Sequence, residues 1–186
     1  MESAIGPYRI KDLERMPEGE RWELIEGHLV MNPPFPRLMH QKVILRLLLR
    51  LGEQLEVPGI ASVFPSNTGL FLADHTALGP DLVVVSPERQ ERFSERGIEG
   101  APDLVVEVLS RSTRKRDEGV KRRLYAQYGV REYWIVHPLE AWVEVLVLRD
   151  GTFVTEGEGR QTPPAPLRSG IFPDLAIPLS QLFAAP

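Results

Sequence analysis

Apolar residues fall into short runs along this chain, and their spacing changes from one stretch to the next. The most continuous are "LVVV" at 82–85 and "LVVEVL" at 104–109, each preceded by Pro-Asp. Unbroken runs of branched apolar residues read as strands buried on at least one face. Over 40–56 the spacing becomes helical: Val43, Leu47, Leu48, Leu51 and Leu55 form one stripe. A second helix is expected over 114–129, ending at Gly129, with Ser112 or Thr113 as its cap. Residues 21–31 read as a hairpin turning at Glu26-Gly27, followed by an extended link at Pro33, Pro34 and Pro36. A strand with a kink at Pro65 is expected over 62–72, and a charged loop over 87–101. "EYWIVHP" and a hairpin around Asp150-Gly151 supply further strands, a loop covers 160–170, and a short apolar segment closes the chain. The order helix, three strands, helix, strand predicts an α/β (α+β) fold with a mixed sheet flanked by helices and an N-terminal hairpin.

Composition narrows the picture. The 186 residues, 42% of them hydrophobic, suit one domain spanning 1–186. A net charge of −4 gives no global basic field, so contact with nucleic acid would need a local patch. The absence of cysteine excludes disulfides, thiolate metal sites and cysteine nucleophiles. The opening residues lack the apolar region of a signal peptide, and "VILRLLLRL" is too short to span a bilayer. A cytoplasmic protein without a membrane segment is expected. No P-loop, G-x-G-x-x-G or G-x-S-x-G occurs.

Glu107 breaks the apolar pattern. A carboxylate within a buried strand is costly unless it is paired. If 81–86 and 103–110 pair antiparallel, the start of the first lies beside the end of the second, and Asp81 approaches Glu107. Asp103 shares the parity of Glu107 but lies roughly 13 Å away along the strand. Asp174, behind a third proline, has no acidic partner in a strand. Two carboxylates at one sheet end repel unless a proton or cation lies between them, and oxygen ligands favour Mg2+ or Mn2+. A solvent-facing Glu107, or one paired with arginine, is the competing explanation. Lys121, one of four lysines, shares a helix face with Asp117, Leu124 and Tyr128. A snorkelling lysine would also suit that position. Arg111, Arg114, Lys115, Arg116, Lys121, Arg122 and Arg123 crowd into 13 residues and form a candidate phosphate-binding patch. Tyr125, Tyr133 and Trp134 read as core.

Asp81, Glu107 and Lys121 resemble the acid, acid and lysine of the PD-(D/E)xK nuclease superfamily. "ELIEGHLV", "PDLVVV", the stretch from Asp103 to Pro138 and "FPDLAIPL" resemble the Uma family of restriction-endonuclease-like proteins over roughly 20–183. One departure stands out: the superfamily's lysine follows its acid by two residues, where this chain has Leu109. The Uma pattern moves the lysine to the next helix, as Lys121. The resemblance implies a restriction-endonuclease-like fold, and a DNA endonuclease with Asp81 and Glu107 holding Mg2+ or Mn2+, helped by the Val108 carbonyl. It gives Lys121 a catalytic role and Glu23 and His40 secondary ones. DNA is the implied partner and a homodimer the implied assembly, with the 87–101 loop and the C-terminal apolar segment as contacts. A DNA-binding or assembly module that keeps the fold without cleaving is the alternative.

Overall fold

The computed structural model describes residues 5–17, 19–32, 36–160 and 165–184. Pro33 and Pro34 of the expected link, and 161–164 of the expected loop, lie outside the described residues. The strands are β1 (Trp22–Ile25), β2 (His28–Met31), β3 (Ser62–Pro65), β4 (Gly69–Ala73), β5 (Thr76–Leu78), β6 (Leu82–Val85) and β7 (Phe93–Ser94). They continue with β8 (Gly97–Glu99), β9 (Leu104–Val108), β10 (Glu132–His137), β11 (Trp142–Arg149), β12 (Thr152–Arg160), β13 (Leu167–Arg168) and β14 (Ala176–Ile177). The helices are α1 (Ile10–Leu13), α2 (Leu38–Leu51) and a composite α3. In α3, Arg114–Arg116, a π-type turn Asp117–Lys121 and Arg122–Tyr128 run on from one another. A short α4 (Leu179–Leu182) follows.

Six strands form the central sheet in the order β12-β11-β10-β9-β6-β3. All neighbours are antiparallel except β9 and β10, which α3 connects as a parallel crossover. Side chains of β9 alternate between two cores: Leu104, Val106 and Val108 pack with α2, while Val105 and the following Leu109 pack with α3. Covered on both faces, β6 and β9 need apolar residues at every position, which explains their unbroken runs. The helical stripe behaves as its spacing predicts. Val43, Leu47, Leu51 and Leu55 are buried, and cutting the fully buried Leu47 to alanine would cost about 2–5 kcal/mol. α2 gives way to a π-type turn, Gly52–Glu56, before the chain enters β3.

The expected hairpin forms with Leu24 opposite Leu29, and Glu26 and Gly27 both take positive φ (48° and 76°) as a two-residue type I′ turn requires. It belongs to a second six-stranded sheet, β2-β1-β5-β4-β8-β7. The single kinked strand expected over 62–72 is instead two strands in different sheets. Pro65 cannot donate to the ladder, and Asn67 turns the chain at φ 74°. The 87–101 segment is more ordered than a loop, with a 3-10 helix at Pro87–Arg92 and the β7–β8 hairpin.

The C-terminal apolar segment is used inside the chain, since Leu179, Leu182 and Phe183 join the core beside α2. Contact between copies therefore cannot come from these buried side chains. The fully buried Glu132 anchors this region by accepting hydrogen bonds from Trp134, Ser169 and the Gly170 and Ile171 amides. Among the described residues no helix is long and apolar enough to cross a membrane.

Candidate active site

The register of β6 and β9 sets Leu82 opposite Val106, so the next pair outward is Asp81 with Glu107. Asp81 lies where the chain bends into β6. Its Oδ2 accepts the Val108 amide at 2.8 Å, and its backbone carbonyl accepts the Ser66 hydroxyl at 3.1 Å. His40 of α2 approaches it, with Nε2 at 3.4 Å from Oδ1. Glu107 is nearly fully buried, and its Oε1 accepts both Lys121 Nζ at 2.8 Å and the Tyr125 hydroxyl at 2.7 Å. Lys121 also sits 2.8 Å from Glu23 Oε1 and 3.7 Å from Asp117 Oδ1. Glu23 Oε1 further accepts the Gly79 amide at 3.0 Å, and Arg116 Nε stands 3.6 Å from Oε2.

Asp103 is elsewhere, at the opposite end of β9. It accepts the Ser86 amide at 2.7 Å and Arg131 at 2.9 Å, with Arg89 at 3.4 Å. Burial alone would raise its pKa, but these donors hold it below the usual carboxylate value. Asp174 is exposed.

Electrostatics follow from crowding. Burial pushes the pKa of Glu107 well up; Lys121 opposes this, and the charges of Asp117, Asp81 and Glu23 add to it. Burial likewise raises Asp117. Glu23 ends below its ordinary value because Lys121, the Gly79 amide and Arg116 outweigh its desolvation. Burial would discharge Lys121, yet Glu107, Glu23 and Asp117 more than offset it and hold the ammonium charged. Four buried carboxylates (Asp81, Glu107, Glu23, Asp117) thus face two permanent cations, Lys121 and Arg116. Only if every acid were ionised would the surplus be two negative charges; the raised pKa of Glu107 and of Asp117 lets protons relieve part of it.

Asp81, Glu107, Asp117 and Lys121 open onto a cleft of about 310 Å³, with His40 and Arg111 on its walls. Among the described residues no three acidic or histidine side chains gather closely enough to enclose a metal by themselves. Mg2+ does not require that, since it typically takes one or two carboxylates and keeps several waters. Asp81 and Glu107 supply two oxygen donors at the cleft, and buried Asp117 Oδ1 has no hydrogen-bond partner. The oxygen donor set, crowded enough to raise the pKa of Glu107 and of Asp117, fits a hard divalent cation.

The structure brings Asp81, Glu107, Lys121, Glu23 and His40 together and divides the basic cluster. Arg111 and Arg116 line the cleft, but Arg116 is turned inward to Glu23 and Asn32. Arg114 is engaged by Glu118 and Glu140, and Arg122 points to Glu144 at 4.0 Å, away from the cleft. Lys115 is exposed and outside the cleft lining. Glu23, on the first hairpin strand, is buried, and His40, in the first turn of α2, has only 12% of its side chain exposed. Thr113 occupies the cap position of α3 without a side-chain capping bond.

Sequence reasoning missed Asp117, Tyr125 and the inward Arg116 as members of the site. Asp117, four residues before Lys121, carried a readable signal. Arg116 did not: residues five apart diverge on an α-helix, whereas a π-type turn stacks them, so Arg116 and Lys121 both reach Glu23.

A model of the Uma2 family, described as "Putative restriction endonuclease", matches residues 10–180. A crystal structure of "a putative nuclease belonging to DUF820" from Anabaena variabilis superposes with a TM-score of 0.78 at 22% identity. The match covers 96% of this chain and 98% of that one, a likeness of fold. No curated protein matches the sequence.

Proposed function

The chain belongs to the Uma2 family, and from that premise we propose that it hydrolyses DNA phosphodiester bonds in the Asp81–Glu107 cleft with the help of Mg2+ or Mn2+. The observation that carries this reading is the crowding of Asp81, Glu107 and Asp117 at one cleft, where a divalent cation would take the place of the protons that burial and mutual repulsion favour. Asp81 and Glu107 would hold the cation. Bound there, it supplies Lewis acidity toward a phosphate oxygen and a more acidic water.

The protein's own residues do the rest. The Val108 amide fixes the Asp81 carboxylate through Oδ2, so Oδ1, beside His40, keeps one direction. Tyr125 and Lys121 fix Glu107 from the side of α3. Lys121, held charged, offers a positive group to the phosphate or its attacking water as negative charge builds. Arg111, on the cleft wall, attracts the phosphate backbone. Glu23 acts from behind Lys121 as a positioning residue.

The assay is incubation of plasmid and single-stranded DNA with the protein and Mg2+ or Mn2+. Cleavage that EDTA stops, and that Glu107→Gln and Asp81→Asn abolish, supports the reading; intact DNA under all conditions refutes it. A non-cleaving binding module is favoured by one observation, the buried Lys121–Glu107 pair, which satisfies the acid without a cation. It predicts DNA binding with no cleavage. A homodimer belongs to the main reading, supported by Leu38, Leu45 and Leu49, which leave apolar surface exposed on α2. Light scattering that shows a monomer at micromolar concentration would contradict it.

A further inference from the structure

The cleft adjoins two further hollows. On one side it shares Arg37, Ser110 and Arg111 with a small pocket of about 90 Å³, beyond the carboxyl ends of the parallel strands β9 and β10. On another it shares Arg21, Asn32 and Gly79 with a groove of about 420 Å³ that runs past Trp22 and the β3–β4 turn. The small pocket and the groove have no lining residue in common, so the cleft joins them. Asp81, Glu107 and Lys121 line the cleft and neither of its neighbours. The three hollows make one trough with the acids in its middle section.

The arginines are spent unevenly. Most of the 18 are held by an acid or a carbonyl, as Arg9 is by Asp74, Arg46 by the Leu182 carbonyl and Arg149 by Glu156. Among the described residues only the guanidiniums of Arg21, Arg37, Arg111 and Arg168 have no ion pair or hydrogen bond, and three of those four line the trough. The three come from separate elements: Arg21 precedes β1, Arg37 precedes α2 and Arg111 follows β9. Arg37 and Arg111 stand where the cleft meets the small pocket, and Arg21 stands where it meets the groove. The acids beyond these junctions are engaged, Glu20 by Trp22 Nε1 at 2.7 Å and Glu140 by Arg114 at 2.9 Å. A guanidinium stays charged at any ordinary pH and takes a phosphate through two parallel hydrogen bonds. Uncommitted cations on both sides of an acidic centre suit a polyanion that continues in both directions.

We propose that an uninterrupted DNA strand runs along this trough, its phosphates on one side of the scissile bond held by Arg21 and those on the other side by Arg37 and Arg111. The inference rests on the nuclease reading and names its substrate class: an internal phosphodiester bond, reached without a strand end. It gives Arg21 and Arg37 a binding role that neither charge clustering nor their place in the sequence discloses, since each stands apart from the run at 111–123.

Fluorescence anisotropy in EDTA, where no cleavage intervenes, tests it. Two labelled single-stranded DNAs of the same length and sequence are compared, one linear and one closed into a circle, each titrated at several salt concentrations. The parent protein should bind both equally. Arg21→Ala and Arg37→Ala should each lower the slope of log affinity against log salt by about 0.7, which is about fivefold weaker binding at 0.1 M salt. Arg168→Ala, which removes an equally uncommitted arginine from outside the trough, should change neither slope nor affinity. A parent that binds the linear strand about tenfold more tightly than the circle needs an end, and that overturns the inference whether or not the variants fold. So does a folded Arg21→Ala or Arg37→Ala that behaves as Arg168→Ala does. Binding to neither DNA overturns the nuclease reading as well, and the two failures are thereby distinguished.

Discussion

Replacing Lys121 by methionine removes the ammonium but keeps most of the side-chain volume. Lys121 is 2% exposed and lies within 2.8 Å of both Glu107 and Glu23. Without it three buried carboxylates, Glu107, Glu23 and Asp117, keep only Arg116 as a permanent cation. Removing one partner from a buried ion pair costs about 3–5 kcal/mol, because the other charge stays buried. Total stabilities are about 5–15 kcal/mol, so the variant should still fold at 25 °C. For a chain of this size the loss corresponds to a Tm lower by roughly 6–20 °C. The sign with pH is fixed. An acid whose folded pKa is raised binds its proton more tightly when folded, so its contribution favours folding below the unfolded value and is lost as pH rises through the folded one. Glu107 is already raised in the parent, and losing Lys121 raises it further. The stability gap between variant and parent should therefore widen as pH rises through the folded pKa of Glu107 in the parent. Adding Glu107→Gln to Lys121→Met should recover part of the loss, a coupling that urea titration of all four proteins measures. A gap that stays constant with pH, together with additive single losses, would refute the ion-cluster reasoning.

Asp103→Ala should cost about 1–3 kcal/mol by leaving the Ser86 amide without its acceptor, and should leave divalent-cation binding unchanged by calorimetry. Because the Asp103 pKa is lowered, its contribution is present above the unfolded value and fades as pH falls through the folded one, so acid unfolding of parent and variant should converge. Asp81→Asn and Glu107→Gln should each remove the calorimetric signal for Mn2+ binding. Arg111→Ala should weaken DNA binding and reduce the salt slope by about 1, whereas Arg122→Ala, turned to Glu144, should change neither in the same titration.

Much of the core was legible because the signals were periodic. The unbroken valine runs marked strands buried on at least one face, and their antiparallel pairing placed Asp81 beside Glu107 and left Asp103 at the far end. Glu26-Gly27 and Asp150-Gly151 announced their turns through the positive φ that each adopts. The second sheet was less legible. The short β5 carries no pattern of its own, and β3 and β4 are parted by a turn at Asn67 that looked like a kink at Pro65. At the site, a charge run reads as a surface patch until burial is known, and only the three-dimensional packing shows Arg116 spent on Glu23 while Arg111 faces the cleft. The inward turn of Arg116 depends on a π-type turn, a register change that residue periodicity does not encode.

The central claim is that the carboxylate cluster between β6, β9 and α3 is a divalent-cation site serving phosphate chemistry. Crystals soaked in Mn2+ and measured at the manganese absorption edge address it directly. The account predicts one strong anomalous peak within direct coordination distance of both the Asp81 and Glu107 carboxylates, and none in Glu107→Gln crystals. A parent crystal saturated with Mn2+ that shows no peak there, with Lys121 and Tyr125 alone still satisfying Glu107, would contradict it.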